Sequence, residues 1–230
     1  MEFTILMPCL NEEKTIKESI QAAKKSIQET GITAEILVID NGCEDNSPKI
    51  AEQMGAKVVK EDKRGYGNAL KRGIEEAEGK YIIMGDCDMS YDFSALKPFI
   101  DRLRRGDHLV VGDRFSGGIE AGAMPWSHKY IGNPAISFIG RRICKTKVKD
   151  FYCGLRGFNT DKIRRLCLRA PGMEFAIEMI VEAQKAGYKI SNVPIVLHKD
   201  GRDGRSHLNT IKDGLRTFRY LYSAKWDSLC

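Results

Sequence analysis

Nowhere in its 230 residues does this chain join more than a few apolar residues in a row, far fewer than the ~20 that a membrane-spanning helix needs. The first residues pass straight into a strand-like run, without the charged start and apolar stretch of a secretory signal. The chain is therefore expected in the cytoplasm, with no segment crossing a membrane. Its seven cysteines, Cys9, Cys43, Cys87, Cys144, Cys153, Cys167 and Cys230, are odd in number and include no C-x-x-C pair, which fits reduced thiols and not a disulfide framework. The 4 histidines are equally dispersed, so clustered zinc ligation is not expected. Glycine is missing where a dinucleotide enzyme needs it. The turn Pro8-Cys9-Leu10-Asn11-Glu12-Glu13 after the first strand holds none, which excludes the nicotinamide fingerprint and the glycine-rich, basic first turn of a nucleotidyltransferase. Basic runs interleaved with aromatics are absent too, so nucleic acid is not expected as a partner.

What is present is an ordinary globular balance, 42% hydrophobic and 30% charged, enough for a real core. The net charge of +6 suits nucleotides, lipid phosphates or membrane surfaces alike. Strand-like runs at 3–7, 36–39, 57–60, 81–84 and 109–111 alternate with helical patterns at 16–27, 46–54, 68–77 and 93–105. This order argues for an α/β fold with a parallel sheet covered by helices on both faces, in one domain over residues 1–206. Helices at 135–144 and 172–186, an extended segment near 154–158 and a strand at 189–197 complete it. Residues 113–125, with Gly117, Gly118, Gly122 and Pro125 and no apolar periodicity, are expected to form a mobile loop beside the site. Over 207–230, Leu208, Ile211, Leu215, Phe218 and Tyr222 share one helical face and Lys212, Arg216 and Arg219 the other. Such a basic amphipathic helix fits packing on the domain or a juxtamembrane role.

The pair Asp86-Cys87-Asp88 closes the apolar run Tyr81-Ile82-Ile83-Met84 between Gly79 and Gly85. In open α/β sheets ligands gather beyond the carboxyl ends of the strands, and the turns Pro8 to Glu12, Asp40-Asn41-Gly42 and Asp86 to Asp88 all leave on that edge. Two carboxylates one residue apart repel unless a cation joins them, and all-oxygen ligands suit Mg²⁺ or Mn²⁺; a solvated turn is the alternative. Alternation turns Cys87 away from both acids. Gly65-Tyr66-Gly67 marks either a close backbone approach to a phosphate or ribose, or simply a helix start. Glu174, Glu178 and Glu182, opposite Met173, Ile177, Ile180 and Val181, have the spacing of a solvated helix face, with Glu174 at the helix start the one placed to act as a base. Trp126 and Tyr130 fit stacking on a sugar or lipid, or a place in the core or rim.

In chain order, Pro8-x-x-Asn11-Glu12-Glu13, Ile39-Asp40-Asn41-Gly42-x-x-Asp45 and Gly85-Asp86-Cys87-Asp88 resemble the signature of family 2 glycosyltransferases. Tyr91-Asp92-Phe93, Gly112-Asp113-Arg114-Phe115, Gly122 to Trp126, Gly132-Asn133-Pro134, Gly172 to Phe175 and Ser206-His207-Leu208 are similar to the bacterial branch near the dolichol- and polyprenyl-phosphate sugar synthases. The likeness runs from residue 3 to about 222. It implies a single GT-A, Rossmann-like domain with a mostly parallel sheet. It also implies inverting, metal-dependent transfer of a sugar from a UDP- or GDP-linked donor to a polyprenyl or dolichyl phosphate, for a cell-envelope glycan, by a chain peripheral on the cytoplasmic face of the membrane.

Residue by residue, the resemblance implies that Pro8, Leu10, Asn11, Glu12, Asp40, Asn41, Gly42 and Gly67 hold the nucleotide sugar, and that Asp86 and Asp88 act with Mg²⁺ or Mn²⁺ on its diphosphate. Arg114 and Arg202 serve the diphosphate, and Arg202, Arg205, Ser206 and His207 the acceptor phosphate. Ser90 stands where some relatives place a further metal ligand, commonly Gln, and His207 where Lys is frequent, which makes its charge depend on pH. Asp150, Cys153 and Arg156 are expected to line the donor sugar. Asp88, Arg114, Arg202 and Glu174 form the candidate catalytic set. An acceptor phosphate, with its second pKa near ~6, needs no protein base. A soluble glycan, small molecule or protein hydroxyl would need one, for which Glu174 stands, and a non-catalytic nucleotide-sugar-binding module would not need Asp86 and Asp88 intact. Association into a homo-oligomer stays open.

Overall fold

The computed structural model describes residues 1–202 together with Arg216 and Tyr220. The apolar run Phe3–Cys9 forms β1, almost wholly buried, as a central parallel strand covered on both faces must be. Helix α1 (Ile16–Thr30) buries Ile16, Ile20 and Ala23 at the expected spacing and stops where Gly31 takes a left-handed φ of 63°. The alternation continues through β2 (Ala34–Asp40), α2 (Ser47–Gln53), β3 (Lys57–Lys60), α3 (Tyr66–Glu76) and β4 (Tyr81–Met84). The helix expected over 93–105 is divided. A 3-10 turn at Phe93–Ala95 precedes α4 (Lys97–Arg104), which carries Pro98 in its first turn, where a missing N–H is tolerated. Next come β5 (Leu109–Asp113), α5 (Arg114–Gly117), a π-helical turn (His128–Gly132) that runs into α6 (Asn133–Cys144), β6 (Arg156–Asn159), α7 (Thr160–Arg164), α8 (Phe175–Lys185) and β7 (Ile190–Pro194).

The strands form a 7-stranded sheet in the order β3-β2-β1-β4-β6-β5-β7. All run the same way except β6, which lies antiparallel between β4 and β5. Cys9 is level with Asp40, and Leu6 with Met84, so the turns after β1, β2 and β4 open on one edge. Asp113 at the end of β5 reaches the same edge. Ile5, Leu37, Ile83, Val110 and Phe158 from the sheet, with Phe99 and Phe175 packed on it, are fully buried.

Two expectations are corrected. Residues 113–125 are not a loose loop over their first half: Asp113 Oδ1 accepts from Phe115 N (3.1 Å) and Ser116 N (3.0 Å) to cap α5. Leu197 then clasps the chain, its N–H donating to Gly118 O and its O accepting from Glu120 N, both at 3.0 Å. The Glu174, Glu178 and Glu182 stripe is not solvated either. Glu174 and Glu178 are buried, and Glu178 accepts from the N–H groups of Arg169 and Ala170, both at 2.9 Å. Spacing defines a helix face but not what packs on it. The expected helix over 207–230 lies outside the described residues, apart from Arg216 and Tyr220. Among the described residues no helix is long and apolar enough to cross a membrane.

Candidate active site

The first turn is fixed from within. Asn11 reverses the chain at a φ of 57°, a left-handed conformation that Asn tolerates better than most residues, and its Oδ1 accepts from Glu44 N (2.8 Å), tying this turn to the next. Glu12 is buried. Its N–H donates to Ser47 Oγ (2.7 Å), its Oε2 accepts from the Thr15 hydroxyl (3.0 Å), and its Oε1 lies 2.6 Å from Arg202 Nη2. Burial raises its carboxyl above the usual range, against the pull of Arg202. Pro8 and Leu10 stand half-buried beside it.

In the second turn Asp40 Oδ1 accepts from Gly42 N (3.0 Å) and Cys43 N (2.8 Å), with Gly42 at a φ of 88°. Asn41 is turned inward: its Oδ1 accepts from Gly65 N (2.7 Å) and its amide donates to Glu61 O (3.2 Å) and Lys63 O (3.0 Å). Its side chain is therefore a brace between β2 and the start of α3, not the open donor contact expected from the sequence.

The third turn carries the acids. Asp88 is buried; its Oδ1 accepts from Ser90 N (3.0 Å) and Ser90 Oγ (2.5 Å), and its Oδ2 lies 2.8 Å from Arg202 Nη2. Asp86 packs against Gly154, where an added Cβ would come within 2.9 Å of its Oδ2, and Tyr66 hydrogen-bonds to it. Burial and then the Asp88 charge push the Asp86 carboxyl up to about 7, against the Tyr66 hydrogen bond and Arg202. Cys87 between them is turned away as alternation requires, its Sγ 3.3 Å from Pro8 O. The strap that delivers Arg202 is stitched along this turn, with His198 N donating to Ser90 O (3.0 Å) and Gly201 N to Asp88 O (2.8 Å).

These residues fit a divalent cation. Asp86 and Asp88 offer oxygen only, and a positive ion would relieve both the burial of the Asp86 charge and its repulsion by Asp88, which together raise the Asp86 carboxyl. Among the described residues no cluster of three or more His, Cys, Asp or Glu could hold a metal by itself. Further ligands would come from substrate phosphates and water, the usual way in which Mg²⁺ is held by one or two carboxylates.

Several expected contacts prove to be internal. Arg114 is buried and forks onto Asp150, Nε to Oδ2 at 2.6 Å and Nη2 to Oδ1 at 2.8 Å, so its guanidinium is spent on a buried partner and not presented to a diphosphate. Arg156, fully buried, donates to the carbonyls of Cys153, Phe151 and Ala176. With Cys153 and Asp150 also fully buried, this trio braces the chain instead of lining a sugar. The close approach marked by Gly67 is to the chain itself: a Cβ there would come within 2.2 Å of Ala170 O. Glu174 accepts from Gly172 N (3.3 Å) through Oε1, while its buried Oε2 has no hydrogen-bond partner among the described residues. Arg205, Ser206 and His207 lie outside the described residues. Tyr66, Thr15 and Ser47 were missed, because nothing in their spacing tells which acid each will meet.

Known proteins match this chain over most of its length. Residues 4–167 match the family described as Glycosyl transferase family 2. The chain is 36% identical over 219 residues to the low-salt glycan biosynthesis hexosyltransferase Agl6 of Haloferax volcanii, covering 95% of this chain and 52% of that protein, so it spans about half the length of that relative. It is 28% identical over 213 residues to the dolichyl-phosphate hexose transferase of the same organism, covering 93% of this chain and 89% of that one. A glucosyl-3-phosphoglycerate synthase from Mycobacterium tuberculosis, in complex with Mn²⁺, uridine diphosphate and phosphoglyceric acid, shares the fold with a TM-score of 0.78 at 19% identity, over 99% of this chain and 80% of that one. A likeness of fold alone leaves the chemistry open; the family match over residues 4–167, with the 36% identity to Agl6, shows that the chain belongs to glycosyltransferase family 2.

Proposed function

We propose that this glycosyltransferase moves a hexose, or a close relative of one, from a UDP- or GDP-linked donor to a polyprenyl or dolichyl phosphate, with inversion at the anomeric carbon. The observation that carries the reading is the bridge of Arg202 between Glu12 and Asp88, 2.6 and 2.8 Å away, which gathers an acid from the first turn, an acid from the third and a basic fork at one point of the sheet edge. The relative named as a dolichyl-phosphate hexose transferase supports the acceptor.

An oxygen of the acceptor phosphate bonds to the anomeric carbon from the face opposite the leaving diphosphate, as the bond from that carbon to the diphosphate oxygen breaks and its electron pair leaves with the nucleoside diphosphate. The acceptor phosphate is largely ionised at pH 7, its second pKa being near ~6, so no side chain has to remove a proton. The Asp40 and Gly42 turn borders the nucleoside. Asp86 and Asp88, with Ser90 fixing the second, would hold Mg²⁺ or Mn²⁺, which would supply Lewis-acid stabilisation of the leaving group's charge. Arg202, beside Glu12 and Asp88, would complement phosphate oxygens through its fork. Arg205, Ser206 and His207 are assigned to the acceptor phosphate.

A second reading, a hydroxyl acceptor, is favoured by the buried Oε2 of Glu174, which has no hydrogen-bond partner among the described residues and would serve as its base. One assay separates the two. A panel of labelled UDP- and GDP-sugars is offered with Mn²⁺ to a mixture of polyprenyl phosphate and soluble hydroxyl acceptors. Label extracted into organic solvent, undiminished in Glu174→Gln, is the expected result; label in the aqueous phase alone, lost in Glu174→Gln, would move the reaction to a hydroxyl.

A further inference from the structure

The whole net charge of the chain sits in one stretch. Residues 121–149 contain Lys129, Arg141, Arg142, Lys145, Lys147 and Lys149 and no Asp or Glu; of the 37 Lys and Arg, the 31 left elsewhere equal the 31 Asp and Glu. In the fold this stretch is part of the excursion between β5 and β6 that holds the π-helical turn and α6. The inner face of α6 is made of small residues. Ser137 and Gly140 are buried, Ser137 Oγ accepts from Phe151 N (3.2 Å), and a Cβ on Gly140 would come within 2.5 Å of the Phe151 ring.

The outer face of α6 runs through Ala135, Phe138 and Arg142, spaced by three and four residues as one stripe of a helix, with Ile131 in the π-helical turn before it and Lys145 just past its end; all five are exposed. On an ordinary surface helix that stripe would be polar; here its first half is apolar. Ile131 is 57% and Phe138 53% exposed, and just before them Trp126 is 68% and Tyr130 58% exposed, their rings 5.7 Å apart. Cations border the patch: Lys129 lies 5.5 Å from the Tyr130 ring and Arg142 5.4 Å from the Phe138 ring.

Aromatic and aliphatic side chains turned to water beside unbalanced Lys and Arg are what a helix lying in the plane of a bilayer interface presents. The apolar side chains enter the boundary between headgroups and acyl chains, and the cations meet anionic lipid. A second copy of the chain fits poorly, since a symmetric contact would set Lys129, Arg142 and Lys145 against the same three cations. The patch is also close to the chemistry: Phe151 packs on α6 through Gly140, and three residues on Gly154 packs on Asp86. We infer that the exposed face of residues 126–145 docks this chain on an anionic bilayer surface. The docking stands by itself; its use, to hold the Asp86 and Asp88 edge beside a lipid-borne acceptor, rests on the polyprenyl phosphate reading.

The test is co-sedimentation of the full chain with vesicles of phosphatidylcholine, with and without phosphatidylglycerol. Wild type is expected to bind the anionic vesicles. Ile131→Ser with Phe138→Ser is expected to bind about tenfold or more weakly, and Arg142→Gln with Lys145→Gln about fivefold more weakly per charge removed. These side chains are exposed, so the variants keep the fold, checked by circular dichroism, and keep transfer to a short water-soluble polyprenyl phosphate analogue. In a Trp226→Phe background, anionic vesicles should shift Trp126 emission to the blue. Equal binding by wild type and the Ile131, Phe138 variant would overturn the inference, as would an effect of that variant on oligomeric state with none on vesicles. Vesicle binding without transfer to any phosphate acceptor would instead sink the proposed reaction and leave the docking surface standing.

Discussion

Arg202 Nη2 lies 2.8 Å from Asp88 Oδ2, so a side-chain cation from the end of the strap rests on one of the two acids that fit a metal. Arg202→Ala would leave Glu12, Asp86 and Asp88 facing one another without it. The variant is expected to lose about 1–3 kcal/mol of stability without metal. Added Mn²⁺ should then raise its melting temperature more than that of wild type, because the ion replaces the missing charge. Calorimetry with and without Mn²⁺ reads both, and an equal response in the two proteins would remove Arg202 as the ion's competitor.

The fork of Arg114 on Asp150 is buried on both sides. Breaking such a pair from one side leaves an uncompensated charge and costs about 3–5 kcal/mol, so Asp150→Ala should lower the denaturant midpoint sharply. Arg114→Lys should lower it as well, because an ammonium cannot make the same two-pronged contact with Asp150. A stable Asp150→Ala protein, with only Arg114→Ala impaired in transfer, would restore Arg114 to the diphosphate.

Gly67→Ala places a methyl group against Ala170 O, and the 169–172 segment must move to admit it. Overpacking of this kind costs about 1–3 kcal/mol. A melting temperature within a degree of wild type would show that the approach is not tight.

Acid stability has a local source in Asp107, a buried carboxylate 2.7 Å from Lys189 Nζ. Burial pushes its carboxyl up, but Lys189 and Ser191 outweigh that and hold it below the usual range. Because the folded value is the lower one, the stabilisation is full above the unfolded value of about 3.9 and is lost as the pH falls through the folded value. The gap in unfolding free energy between wild type and Asp107→Asn should therefore be widest near neutrality and close below about pH 4; a gap independent of pH would contradict this.

The strands were legible because buried parallel strands read as apolar runs: Phe3 to Met7, Ile36 to Ile39 and Tyr81 to Met84 each appear where their spelling puts them. The antiparallel insertion of β6 was not legible, since Arg156-Gly157-Phe158-Asn159 has neither a long apolar run nor alternation and its direction depends on partners distant in sequence. The acids of the site were legible as motifs at strand ends. Their partners were not. Asp150, Arg156 and Glu178 look like surface or site residues by composition, and only tertiary packing turns each inward to a fork, three carbonyls or two N–H groups. The bridge from Arg202 to Glu12 spans nearly the whole described chain, beyond the reach of any local pattern.

The most direct test is single-turnover transfer of labelled sugar to a short-chain polyprenyl phosphate at saturating Mn²⁺ by wild type and Asp88→Asn. A metal held by this carboxylate supplies several kcal/mol of charge stabilisation, and each 1.36 kcal/mol is tenfold in rate, so the variant should be slower by about a thousandfold while keeping its melting temperature. Transfer by Asp88→Asn at the wild-type rate would contradict the account.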